Sequence, residues 1–117
     1  LASGAPAANV TVSSDSGGCL PTFDADGRVT HMGVGDAGSL LATVRVLVAR
    51  GLPLEAVLPA FTSNVARLLR LPGKGRLAVG ADADLVVLDD TLHVTEVIAR
   101  GAWVVRGGVA VKRGTFE

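Results

Sequence analysis

One cysteine, one methionine, no excess of either charge and no long apolar run bound what this 117-residue chain can be. The lone Cys19 cannot close an internal disulfide, and without a second cysteine there is no CxxC pair to hold zinc. A reducing compartment, the cytoplasm, is the expected setting. Eleven basic and eleven acidic side chains cancel. They are scattered without any block of one sign, which argues against a nucleic-acid surface or an anionic membrane as the main partner. No apolar stretch approaches the ~18 residues of a membrane span. The start Leu1-Ala2-Ser3-Gly4-Ala5-Pro6 has no basic region ahead of an apolar core, so no signal peptide is expected there. The only methionine is Met32, so Leu1 is not a translational start as it stands, and the chain reads as a piece of something longer.

What is present is a foldable composition. Hydrophobic residues make up 49% and charged ones 19%, which excludes a disordered tail. The length suits one ordinary domain.

Along the chain, residues 9–14 read as a short strand that stops at Asp15. A glycine-rich loop is expected over 15–38, longer than a compact domain usually tolerates without a use for it. From Ser39 the apolar residues Leu40, Leu41, Val44, Leu47 and Val48 recur at helical spacing, with Ser39 as a capping residue and Arg50-Gly51 closing the last turn. Pro53 opens a second short helix through about Ala60. Thr62 or Ser63 caps a third, Asn64 to Leu71, ended by Pro72-Gly73. These apolar faces must pack on something the chain barely supplies. Beyond Gly75, short β-branched runs at 84–88, 93–99, 103–105 and 109–112 predict a small sheet, with Gly107-Gly108 as a tight hairpin turn.

Asp15 is the leading candidate for chemistry. In barrels of alternating strands and helices the reacting groups sit at the C-terminal ends of the strands. A carboxylate there can bind a divalent cation or take a proton from a metal-activated water. The plain alternative is a turn residue, since Asp, Ser and Gly favour turns. Gly33-Val34-Gly35-Asp36-Ala37-Gly38 matches the dinucleotide fingerprint, but the helix it opens is followed by more helix rather than a second parallel strand. Cys19 with His31, or Ser14 with a histidine, lacks the oriented third partner of a nucleophilic site. His93 reads as a surface strand residue, and no ligand spacing for zinc is visible within the chain.

The stretch from Leu52-Pro53-Leu54-Glu55 through Phe61-Thr62-Ser63-Asn64-Val65-Ala66-Arg67-Leu68-Leu69, then Gly73-Lys74-Gly75-Arg76-Leu77 and Gly80-Ala81-Asp82-Ala83-Asp84-Leu85-Val86-Val87-Leu88-Asp89, resembles the C-terminal signature of the amidohydrolase superfamily. More narrowly, Ser13-Ser14-Asp15-Ser16-Gly17-Gly18 with Pro21, Asp26-Gly27, Thr30-His31-Met32-Gly33-Val34 and the end Lys112-Arg113-Gly114-Thr115-Phe116-Glu117 resemble the isoaspartyl dipeptidase (β-aspartyl peptidase) family. That resemblance implies an α/β chain, the C-terminal part of a (β/α)8 metal-dependent hydrolase barrel. Residues 1–71 would hold its last strand, substrate loop and closing helices, and residues 72–117 strands of the small β-sandwich. It further implies a binuclear zinc centre, a β-aspartyl dipeptide substrate and a homo-oligomer.

Asp15 would bind one metal and shuttle the proton from water to the departing amine. Gly17 and Gly18 would let the backbone approach the substrate. Cys19, where the family usually has serine, would bind substrate as a weaker hydrogen-bond donor. The family's HxH pair, bridging carboxylated lysine, two further histidines and substrate-clamping arginines have no counterpart here. The chain alone is therefore expected to be inactive, and to bind zinc weakly if at all, without the missing N-terminal part. Two other readings stay open: another amidohydrolase, of the dihydroorotase or N-acyl-amino-acid deacylase type, and a non-catalytic binding or structural remnant.

Overall fold

The computed structural model describes residues 4–114. Leu1, Ala2 and Ser3 of the segment read for a leader, and Thr115, Phe116 and Glu117 of the terminal resemblance, lie outside the described residues. The chain divides into two compact units between Phe61 and Thr62.

In the first unit the strand expected over 9–14 does not form. Ala7–Asn9 makes a single 3-10 turn and the β-branched run after it stays extended but outside any ladder. A strand needs a neighbour along its length, because isolated extended backbone leaves its N–H and C=O groups to water. Here one cross-link of that kind is seen, from the Val12 N–H to the Ala60 carbonyl at 3.0 Å.

The loop expected over 15–38 is likewise corrected, since its middle is a hairpin. Strand β1 (Cys19–Phe23) pairs antiparallel with β2 (Val29–Val34), placing Cys19 opposite Val34, Pro21 opposite Met32 and Thr22 opposite His31. Pro21 and Gly33 disguise this pairing in the sequence, since both residues are poor strand formers. The tip is held by Asp24, whose Oδ1 accepts from the N–H groups of Asp26 (3.0 Å) and Arg28 (2.8 Å).

Helix α1 (Ser39–Ala49) follows the expected span. Its N-cap is Gly38 rather than Ser39, which already lies in the first turn and caps nothing. Its C-terminus is closed as anticipated: Gly51, at φ +87°, donates to the Val48 carbonyl and Leu52 to that of Leu47, the paired bonds of a glycine-terminated helix. Pro53 then caps α2 (Leu54–Val57), and a 3-10 turn over Leu58–Phe61 completes the segment expected as one helix. Helix α1 packs on α2, and these two helices carry the unit's buried hydrophobic side chains, Val44 and Val57.

The second unit opens with α3 (Ser63–Leu68), which buries Asn64 and Ala66. It ends three residues before the expected Leu71, because Arg70 turns left-handed at φ +55° and Leu71 donates back to the Ala66 carbonyl at 2.8 Å. The sheet that follows agrees closely with expectation. Strands β3 (Leu85–Leu88), β4 (Val94–Ala99), β5 (Ala102–Arg106) and β6 (Val109–Ala110) form an antiparallel meander in chain order. The last two turns carry consecutive positive-φ residues, Arg100-Gly101 and Gly107-Gly108, the conformation that matches the twist of two-residue hairpins.

Candidate functional site

Asp15 opens a tight turn immediately before β1. The Ser13 and Ser14 hydroxyls accept from the N–H groups of Asp15 and Ser16, each at 3.3 Å, and so bend the chain locally. The Asp15 carbonyl accepts from the Gly18 N–H at 2.9 Å, closing the turn. Asp15 itself adopts φ +47°, a left-handed conformation that aspartate tolerates better than most side chains but that still carries strain. Gly17 follows at φ +81°.

The turn is fastened to the open end of the hairpin by two bonds: the Gly17 N–H donates to the Gly35 carbonyl at 3.0 Å, and the Gly35 N–H to the Gly18 carbonyl at 2.9 Å. Asp15, Gly17, Gly18 and Cys19 are thereby gathered into one short segment. Asp15, Gly17 and Cys19 are exposed and Gly18 is half-buried.

Gly35 is the residue that sequence reasoning passed over. It is buried, and a β-carbon there would stand 2.0 Å from the Asp15 carbonyl oxygen. The signal lies in the glycine run 33–38, which matches the nucleotide fingerprint and so draws attention away from Gly35 as a packing residue. In the structure β2 leads into α1 and then directly into α2, with no second parallel strand, so the mechanical context of that fingerprint is missing.

The other candidates fall apart on geometry. Alternation along the hairpin puts Cys19 and its partner Val34 on one face and His31 on the other, so thiol and imidazole do not meet. His93 belongs to a turn organised by Asp89, whose Oδ1 accepts from the His93 N–H (2.9 Å), the Thr91 N–H (2.8 Å) and the Thr91 hydroxyl (2.7 Å). Those bonds, the His93 N–H first, hold the Asp89 carboxyl below its usual value.

A metal centre needs three or four protein ligands. Among the described residues no group of three or more His, Cys, Asp or Glu side chains is placed to hold an ion. Asp15 alone does not fit a binuclear zinc site, and the described residues do not compose one.

Elsewhere, in the second unit, the Lys74 ammonium lies 2.9 Å from Asp82 and also bridges to Asp84. Asp84 in turn accepts from the Arg100 N–H at 2.7 Å. The hydrogen bond to Lys74, and after it the one from Arg100, holds the Asp84 carboxyl below its ordinary 3.8. The bonds to Asp84 and Asp82 raise Lys74 above 10.5. A cavity of about 280 Å³ opens beside this cluster, between α3 and the loop holding Pro72, Lys74 and Arg76, well apart in sequence from the Asp15 turn.

The model of the amidohydrolase family matches residues 8–111. The crystal structure of a β-aspartyl dipeptidase from Fervidobacterium islandicum AW-1, in complex with a β-Asp-Leu dipeptide, superposes with a TM-score of 0.83 at 39% identity, covering 94% of this chain and 28% of that one. Among curated relatives, an adenine deaminase of Geobacillus kaustophilus is 43% identical over 77 residues, 63% of this chain and 13% of its own length. An N-acetylglucosamine-6-phosphate deacetylase of Mus musculus is 39% identical over 88 residues, 69% of this chain and 22% of its own. This chain thus spans under a third of each of these proteins. Its match to the family model runs from before the Asp15 turn to the last strand, and by that match the chain belongs to the amidohydrolase family.

Proposed function

We propose that this chain is the C-terminal segment of a metal-dependent hydrolase acting on β-aspartyl dipeptides. In this reading residues 1–71 end the catalytic barrel, residues 72–117 supply strands of the small sandwich, and the remaining zinc ligands come from an N-terminal part of the same enzyme in a homo-oligomer. The observation that carries it is the likeness to the dipeptidase structure, at a TM-score of 0.83 and 39% identity over 94% of the chain.

The chain's own residues have a division of labour. The exposed carboxylate of Asp15 accepts a proton from the attacking water and returns it to the departing amine. The Cys19 thiol, exposed at the start of β1 four residues later, contacts the substrate as a weak donor. Gly17 leaves backbone open beside it, since a β-carbon there would meet nothing within 4 Å.

The test is a substrate panel on the full-length polypeptide that contains this chain. Hydrolysis of β-Asp-Leu is expected, with no turnover of adenine, N-acetylglucosamine-6-phosphate, dihydroorotate or N-acyl amino acids. Asp15→Asn should lower kcat by about 10²–10⁴-fold, as loss of a positioned proton-transfer group does. Preferred turnover of another substrate in the panel would reassign the activity. An Asp15→Asn variant as active as the parent would return Asp15 to a turn residue.

A further inference from the structure

We infer that Gly18 is a positioning residue that aims the Asp15 carboxylate, and that Gly35 holds the turn carrying it. The inference rests on the reading of Asp15 proposed above. A β-carbon built on Gly18 would stand 2.7 Å from Cγ, Oδ1 and Oδ2 of Asp15 alike. Three equal distances place the carboxylate face-on over Gly18, filling the room that the absent side chain leaves.

The three glycines around Asp15 therefore do three different things. Gly17 supplies a left-handed conformation, at φ +81°, with open space around it. Gly18 has no left-handed φ, so its backbone does not demand glycine; what demands it is the carboxylate. Gly35 likewise has no left-handed φ, yet a β-carbon there would lie 2.0 Å from the Asp15 carbonyl oxygen and 3.2 Å from that of Ser14. Its bareness lets the backbone of the hairpin's far strand close on the turn, and its two hydrogen bonds to Gly17 and Gly18 lock it there.

This arrangement also bears on Gly18 as a place where backbone approaches substrate. The Asp15 carboxylate occupies the side of the Gly18 α-carbon on which an L side chain would stand. The contribution of Gly18 then belongs to the aim of the proton-transfer group, and its loss should appear in turnover rather than in binding.

The experiment is Gly18→Ala in the full-length polypeptide, assayed on β-Asp-Leu. The three atoms nearest the new methyl are the end of a flexible side chain, so the fold and melting temperature should hold while the carboxylate retreats from 2.7 Å to at least 3.4 Å. Misplacement on that scale is expected to lower kcat about 10–100-fold with KM within about twofold of the parent. Gly35→Ala, which drives a β-carbon into backbone, should lower kcat and melting temperature together.

Parental kcat in Gly18→Ala overturns the inference. So does a raised KM at unchanged kcat, which gives Gly18 to substrate contact, or loss of the fold. Asp15→Asn separates the two layers of argument. If that variant retains full activity, the reading of Asp15 fails; if it is dead while Gly18→Ala turns over normally, only the positioning inference fails.

Discussion

At the scale of single residues, four side chains other than glycine sit at positive φ: Asp15, Arg70, Leu92 and Arg100. Arg70 occupies the position just past the end of α3 where a left-handed residue lets Leu71 and Arg70 donate to the Ala66 and Arg67 carbonyls. A left-handed conformation costs a residue with a β-carbon about 1–2 kcal/mol. Glycine avoids that but loses about 0.5–1 kcal/mol more chain entropy on folding. Arg70→Gly should therefore stabilise the protein by about 0.5–1 kcal/mol, read as a higher urea midpoint at unchanged slope. A lower midpoint would show that the exposed arginine contributes contacts worth more than its strain. Asp15 differs in kind: its strain is kept beside a candidate reacting group, where such outliers concentrate, and replacing it with glycine would relieve the backbone while removing the carboxylate.

At the scale of elements, the loop between α3 and β3 is tied to the β4–β5 turn by the chain Lys74, Asp84, Arg100. The sign of its pH dependence follows from the shifts. Asp84 is held below 3.8 in the folded chain, so its contribution is full above that value and is lost as pH falls through the depressed folded value. Lys74 is raised above 10.5, so its contribution is full below 10.5 and is lost as pH rises through the raised value. Melting temperature against pH should fall at both extremes, and Lys74→Met should flatten the alkaline fall and weaken the acid one. Unchanged limbs in that variant would mean that these exposed groups are too well screened to matter. The same scale shows what could be read from sequence. The strands β3 to β6 were readable because each is a β-branched run bounded by its own turn residues, Asp89-Asp90, Arg100-Gly101 and Gly107-Gly108. The hairpin β1–β2 was not, because Pro21 and Gly33 break the pattern and its pairing rests on partners across a turn. The run 10–14 has strand composition without a strand, since ladder bonds depend on neighbours that composition does not specify. The candidate site divided the same way: Asp15, Gly17, Gly18 and Cys19 are local in sequence, whereas Gly35 joins them only through folding.

At the scale of the whole molecule, the notable quantity is how little is covered. The buried hydrophobic residues are Val44, Val57 and Ala66, and no side chain is fully buried, while Phe23, Met32, Val34, Leu68, Leu77, Val86 and others stand exposed among the described residues. The accessible surface is 8729 Å², against about 7100 Å² for two independent compact bodies of half the mass each. So few buried side chains leave little to offset the conformational entropy of ordering the chain. The faces left open include the apolar side of the hairpin that carries Cys19, beside the candidate carboxylate. If those faces are made to be covered by the rest of a larger enzyme, the chain produced alone should bind a hydrophobic dye strongly or self-associate. It should also fail to cleave β-Asp-Leu with zinc added, having one candidate metal-binding carboxylate where three or four ligands are needed. Supplying the remaining polypeptide should suppress dye binding and restore turnover together, because one docking event would cover the faces and complete the site. Native mass followed by denaturing mass identifies the complex that forms. Robust turnover by the chain alone, or by copies of itself, would mean that Asp15 and its neighbours assemble a working centre without further residues, and the reading of this chain as one part of a larger site would fall.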